Sequence, residues 1–364
     1  MKVPYTAFEL KNRPIRAELI EKFEQVLDSG HYIMGPELKK FEEEFAAFCG
    51  APFASGISNG TCSLHLTLRA IGIGEGDEVI TAPNSFIASA STIALSGAKP
   101  VFVDVTEDLN IDVTKIEWAI TSKTKAIIPV HLTGRPAKMK EINAIAKKHE
   151  LFVLEDAAQS VGAKLDGIRV GGWGDAASFS LHPLKNLHAF GDAGILTIRD
   201  PKLLALLNIS KNHGLSNRDR CEFWSFNCRL DELQAALLRI QLRELERLTE
   251  ERRELAFRYN RLLKPFVVVP EEGEGEYHVY QTYVVLADRR DELLAHLRQN
   301  DVEALVHYPT PIHMQPAAQS LNLHPEDFPV TLQLSRRILS LPLFSGMTIE
   351  QQDYVVELIS NFYN

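Results

Sequence analysis

The 364 residues carry 39 Lys and Arg against 48 Asp and Glu, a formal charge of −9, so a phosphate backbone finds no general attraction and nucleic acid is excluded as a partner. With 45% hydrophobic and 24% charged residues, the chain has a globular make-up rather than a disordered or fibrous one. No apolar run reaches membrane-spanning length, and the opening residues lack the apolar centre of a leader peptide, which predicts a cytoplasmic protein with no membrane partner.

In chain order, apolar extended runs alternate with helical spacing. Ser58-Asn59-Gly60-Thr61 opens a helix over Cys62–Ala70, with Leu64, Leu68 and Ile71 on one face. Glu78–Ala82 reads as extended, Phe86–Leu95 as helical, Pro100–Val105 as extended, Thr114–Ile120 as helical and Lys125–Leu132 as extended. Ala137–His149 returns to helical spacing, and Leu151–Leu154, Ala176–Ser180 and Gly194–Ile198 read as further strands. This alternation predicts βαβ units, hence an α/β fold with a mostly parallel sheet covered on both faces. Leu230 to Leu263 reads as one long, charge-laced helix. Beyond it lie a Glu/Gly-rich turn at Glu271–Glu276, an extended run Tyr280–Leu286, a helix Asp291–Asn300 and a Pro-rich stretch at Pro309–Pro316. The expected division is a large α/β domain over 1–245 and a small α+β domain over 246–364.

Four cysteines, Cys49, Cys62, Cys221 and Cys228, fall at irregular spacings without a CxxC pair, so neither a metal site nor a disulfide framework is expected. Gly72-Ile-Gly-Glu-Gly-Asp77 follows a helix and precedes a strand. A dinucleotide-binding fingerprint needs the reverse order, so these glycines read as a helix stop and turn.

Three other stretches carry chemistry. Free amides at the start of the helix after Ser58-Asn-Gly-Thr61 suit a phosphate, although Asn59 or Thr61 acting as a helix cap explains the same residues. Glu155-Asp156-Ala-Ala-Gln159 directly follows a strand, which puts a carboxylate at the sheet edge where open α/β sheets bind ligands. In Ser178-Phe-Ser180-Leu-His182-Pro-Leu-Lys185-Asn186 a lysine stands among apolar and small residues, and burial there lowers an amine's pKa and frees it as a nucleophile.

Together with Ser29-Gly-His-Tyr-Ile-Met-Gly-Pro-Glu-Leu38, Arg229-Leu-Asp-Glu-Leu-Gln234 and Tyr308-Pro-Thr-Pro-Ile-His313, these motifs resemble the DegT/DnrJ/EryC1/StrS family of sugar aminotransferases over essentially the whole chain. The resemblance implies the three-layer αβα fold of type I pyridoxal-phosphate enzymes. It also implies a role for each matching residue. Lys185 would bond covalently to pyridoxal 5'-phosphate and carry a proton, Asp156 would face the pyridine nitrogen and Gln159 the ring hydroxyl. Ser180, Gly60 and Thr61 would hold the phosphate, and Phe86 would stack on the ring. Asn227 matches the position that reaches the phosphate of a neighbouring subunit, implying a homodimer with shared sites. His307, Tyr308 and His313 match the substrate-side loop, although histidines beside prolines serve equally as structural residues. His188 replaces a residue that is often small in the family, and Cys62 stands where acidic or hydroxyl residues are usual.

The implied activity is transfer of an amino group from L-glutamate to a nucleotide-linked keto-sugar, a dTDP- or UDP-3-keto sugar, giving ping-pong kinetics. Gly191-Asp-Ala-Gly194 resembles members acting at C-3 more than those acting at C-4. Two alternatives share the fold. Sugar dehydratases of the family replace the lysine with histidine, and a non-catalytic, cofactor-binding regulator has no need of the complete lysine, aspartate and glutamine set.

Overall fold

The structure, a computed structural model, describes residues 1–364. Its centre is a seven-stranded sheet: β1 (Phe53–Ile57), β2 (Glu78–Thr81), β3 (Lys99–Phe102), β4 (Thr124–Ile128), β5 (Phe152–Asp156), β6 (Ala176–Ser180) and β7 (Gly194–Ile198). Their order across the sheet is β1-β7-β6-β5-β4-β2-β3. The pairs from β6 through β5, β4 and β2 to β3 are parallel, whereas β7 runs antiparallel to both β1 and β6. Six strands therefore point the same way, and their carboxyl ends line one edge. The runs are continuously apolar because both faces are covered: all of β2 and β7 is buried. The helices Gly60–Ala70, Ala88–Leu95, Val113–Ala119 and Met139–Lys148 make the covering layers of the expected αβα fold.

Element boundaries shift for local reasons. The run expected to extend to Val105 leaves the sheet after Phe102, because Val105 turns back to pair with Ile111. Tyr280 opens an expected strand but adopts a left-handed backbone (φ 48°), and regular pairing starts at Tyr283. The glycines at 72 and 76 take positive φ in the turn before β2, where Asp77 accepts from the Gly74 N–H at 3.0 Å. These backbone angles are what glycine accommodates without strain.

The long helix spans Glu232–Leu263. Ala235, Leu238, Leu242 and Leu245, spaced three and four apart, pack with Phe41, Phe45, Phe179 and Leu187 in one core. Further along the helix, Ala256, Tyr259 and Leu263 enter a second core with Leu293, Leu339, Val355 and Ile359. That second core contains an antiparallel pair, Tyr283–Leu286 with Ile338–Leu341, and the helices Arg290–Gln299 and Ile349–Tyr363. The chain's beginning belongs to it as well. Val3 and Ala7 are buried there, and Val3 exchanges backbone hydrogen bonds of 2.9 Å with Asp301 and Glu303. Val284, Leu286 and Ile338 reach back into the core beneath β2 and β4.

Candidate functional site

β1 ends at Ile57 and the chain turns through Ser58 and Asn59 into the helix at Gly60. The Asn59 carboxamide accepts from the Cys62 N–H at 2.8 Å, which caps the helix and leaves the amides of Gly60 and Thr61 outside the helical ladder. Cap and cradle thus coexist. Both Gly60 and Gly194 are held by close approach rather than by backbone angle. A Cβ on Gly60 would lie 3.0 Å from Ser180 Cβ, and one on Gly194 would lie 2.5 Å from the Asn59 carbonyl carbon. Gly194 pairs with Ile57 on one side and with Ser180 on the other, so the ends of β1, β6 and β7 meet beside the helix start at Gly60.

Asp156 is the last residue of β5 and is 5% exposed. Ser89 donates to its Oδ2 at 2.7 Å and the Ala158 N–H to its Oδ1 at 3.2 Å. Burial pushes its carboxyl above the usual range, while these two hydrogen bonds and the charges of Lys185 and His131 act the other way. Three residues on, Gln159 accepts the Thr133 N–H at 2.7 Å and donates to the Tyr308 hydroxyl at 3.2 Å.

Lys185 lies in the loop after β6, which is pinned from within. Leu181, Leu187, Ala189 and Ala193 enter the core, and the Asn186 carboxamide donates to the Val161 carbonyl at 2.7 Å. Lys185 itself stays half-buried. Burial brings its amine down to about 8, against the pull of the Asp156 carboxylate. Phe86, 53% exposed, has its ring centroid 5.6 Å from that of Tyr308. Burial pushes the Tyr308 hydroxyl up to about 12, and burial together with the Lys185 charge brings His307 down to about 4. His307 is therefore a neutral ring, with Nδ1 2.9 Å from Ser340 Oγ.

The structure gathers Lys185, Asp156, Gln159, Tyr308 and Phe86 at one edge of the sheet, with Gly60 and Ser180 at the same edge. His313 lies apart. It is 4% exposed, packed 4.6 Å from the Phe328 ring, and neither ring nitrogen has a partner. Asn227 is exposed on the outer surface, beside exposed Phe226 and Trp224.

Other residues at the site escaped sequence reasoning. Ser89 and Thr133 hold Asp156 and Gln159, yet each looks like an ordinary hydroxyl residue in its segment. A cavity of about 50 Å³ beside Lys185 is lined by Tyr5, Lys11, Thr249 and Arg252 among others. Burial brings Lys11 down to about 7 and Arg252 to about 10. The Lys11 amine donates to the Asn186 carbonyl at 2.5 Å and lies 2.7 Å from His188 Nδ1. The unusual His188 thus ties the chain's beginning to the loop that carries Lys185.

The donor set fits pyridoxal 5'-phosphate. Two glycines and a helix start form a cradle that a Cβ would fill, a buried carboxylate stands at the strand end, an exposed aromatic ring lies nearby, and an amine of lowered pKa faces that carboxylate. The chain matches the DegT/DnrJ/EryC1/StrS aminotransferase family over residues 13–360. It is 42% identical to the "pleiotropic regulatory protein" of Geobacillus stearothermophilus, covering 100% of this chain and 99% of that one. It is 41% identical to the dTDP-3-amino-3,6-dideoxy-alpha-D-galactopyranose transaminase of Aneurinibacillus thermoaerophilus, over 99% of each. Among solved structures it superposes on S. venezuelae DesV in complex with a ketimine intermediate, with a TM-score of 0.97 at 38% identity, over 100% of this chain and 99% of that one.

Proposed function

The chain belongs to the DegT/DnrJ/EryC1/StrS aminotransferase family, and from that premise we propose that it moves an amino group from L-glutamate to a nucleotide-linked 3-keto sugar. Pyridoxal 5'-phosphate is the cofactor. When bound, it supplies an electron sink for the pair left as a proton departs from the carbon beside nitrogen. The observation that carries the reading is the convergence of Asp156 and Gln159, at the end of β5, with Lys185, in the loop after β6, on one edge of the sheet.

Each residue has a task in this reading. Lys185 would hold the cofactor, and its amine would take and return a proton at the reacting carbon. Asp156 would keep the ring nitrogen protonated, Gln159 would serve the ring hydroxyl and Phe86 would cover one face. Gly60, Thr61 and Ser180 hold the phosphate, with Asn227 reaching across from a second copy in a homodimer. Tyr308 and the neutral His307 border the sugar, and His313 supports their loop by packing. Half-buried Arg252 adds positive charge beside Lys185, and Lys11 adds more in its protonated form, which favours an anionic donor and substrate. No helix is long and apolar enough to cross a membrane, which is compatible with work in the cytoplasm.

Amination at C-3 is supported by the name of the Aneurinibacillus relative, and by the Gly191-Asp-Ala-Gly194 segment. The regulatory name of the Geobacillus relative supplies a competing reading. Absorption spectra of the purified protein with cofactor, before and after L-glutamate, separate the two. Conversion to the pyridoxamine form in wild type but not in Lys185→Ala, followed by amination of a 3-keto sugar, supports catalysis. A cofactor band that glutamate leaves unchanged favours the regulator.

A further inference from the structure

Two of the four cysteines meet beside the phosphate cradle, and the chemistry above uses neither. Cys62 is the third residue of the helix that Asn59 caps, and its side chain is half-buried. Cys228, 5% exposed, follows Asn227. Backbone pairing ties it to the cradle: the Ser58 N–H donates to the Cys228 carbonyl at 2.9 Å, and Ile57 pairs with Arg229. Both cysteine side chains pack in one small apolar cluster with Ile57, Leu66, Leu196 and Leu207.

The two thiols are chemically unequal. The neighbouring Cys228 thiol, with Ser58, Asn59 and the charge of His65 acting in the same direction against burial, holds the Cys62 thiol below its ordinary value. Cys228 is pushed up by the same contact and by burial. A cysteine in the first turn of a helix, packed in the same cluster as a second, more enclosed cysteine, places a peroxide-reactive thiol near a resolving one. The other cysteines differ. Cys49 is enclosed and pushed up by burial, and Cys221 is exposed with its thiol donating to the Phe223 carbonyl at 3.2 Å.

We propose that hydroperoxide joins Cys62 and Cys228 in a reversible intrachain disulfide that distorts the cofactor cradle. The Cys62 thiolate attacks one peroxide oxygen, forming an S–O bond as the O–O bond breaks and hydroxide leaves. Cys228 then gives up its proton and attacks the Cys62 sulfur; an S–S bond forms, the S–O bond breaks and water departs. Two thiols and one peroxide thus become one disulfide and two waters, the sulfurs supplying both electrons. A transient bond of this kind is compatible with a reducing compartment, which restores the thiols. The link itself needs no premise about function. Its effect on the cradle rests on the cofactor assignment.

The test uses the cofactor-loaded full chain, treated with hydrogen peroxide, alkylated and digested without reductant for mass spectrometry. The expected result is a peptide pair joining Cys62 to Cys228, lost on adding dithiothreitol, absent in Cys62→Ser and Cys228→Ser, and retained in Cys221→Ser. Oxidised wild type should release cofactor at least fivefold faster than oxidised Cys228→Ser. Peroxide that over-oxidises Cys62 while Cys228 remains alkylatable, or that reacts first at Cys221, overturns the pairing. A formed link with unchanged cofactor release overturns the effect on the cradle. A protein that never holds cofactor counts against the functional reading, and the peptide map still decides whether the link forms.

Discussion

Gly194→Ala isolates the cradle's dependence on close approach. Gly194 is an ordinary extended residue of β7, so alanine imposes no backbone strain, but its Cβ would sit 2.5 Å from the Asn59 carbonyl carbon, 2.7 Å from its oxygen and 2.9 Å from its Cα. These are main-chain atoms, and no rotamer change relieves the clash. Restoring ordinary van der Waals separation requires a shift of about 1 Å between β7 and the Ser58–Gly60 turn, in a packed interior where overfilling costs about 1–3 kcal/mol. A misplacement of that size at a binding constellation weakens function by up to about a hundredfold. Titration of the apo-protein with pyridoxal phosphate, followed by absorbance, should show the dissociation constant rising between about tenfold and a hundredfold, or about 1.4–2.7 kcal/mol. Thermal unfolding of the same variant should show a modest loss. An unchanged dissociation constant in a folded Gly194→Ala protein refutes the argument that close approach shapes the cradle.

Asp156→Asn keeps the shape but removes the charge that holds the ring nitrogen protonated, so kcat should fall by at least about a hundredfold with cofactor still bound; single-turnover reaction with glutamate measures it, and a loss under fivefold argues against the role. Lys185 is lowered to about 8, and its reactive form is the neutral amine. Cofactor capture by apo-protein should therefore quicken as pH rises toward 8, by about tenfold per unit at the acid end, and level off above it; stopped-flow absorbance reads this, and a flat profile from pH 6 to 9 contradicts it. The same shift has a stability counterpart. The folded pKa lies below the unfolded value of 10.5, so the unfolded chain holds the proton longer and this group adds stability as pH climbs from about 8 to 10.5. Lys185→Met should remove that increment from urea midpoints measured across the range. Glu155 is fully buried and accepts from the N–H groups of Gly171, Trp173 and Gly174 and from His131 Nε2. Glu155→Gln turns an amide NH2 toward two of these donors. At about 1.5–3 kcal/mol for each hydrogen bond to a charged group, it should cost about 3–6 kcal/mol in urea unfolding, and a cost under 1 kcal/mol shows that the loop adapts.

The strands were readable because strands buried on both faces leave uninterrupted apolar runs, and Asp156, Gln159 and Lys185 were readable because each lies just beyond such a run. What lay outside reach depends on distant segments meeting. Ser89 reaches Asp156 across 67 positions of sequence, and Lys11 reaches Asn186 across 175; neither contact leaves a local pattern. The short strands Lys164–Leu165, Ile168–Arg169 and Glu276–Tyr277 are too brief for any periodicity. For His313 the motif left substrate contact and a structural role open, and its burial against Phe102 and Phe328 adds a packing role that no local pattern announced.

The helix Glu232–Leu263 contains neither glycine nor proline and is anchored in two cores, while Val3 straps the chain's start to its far end and Val284, Leu286 and Ile338 are rooted beneath the sheet. Bracing in three places resists a swing of one half against the other. Admission of a bulky sugar nucleotide and shelter from water then fall to side chains at the rim and to whatever docks against it. In the homodimer proposed above, the cavity would be completed by assembly rather than by closure.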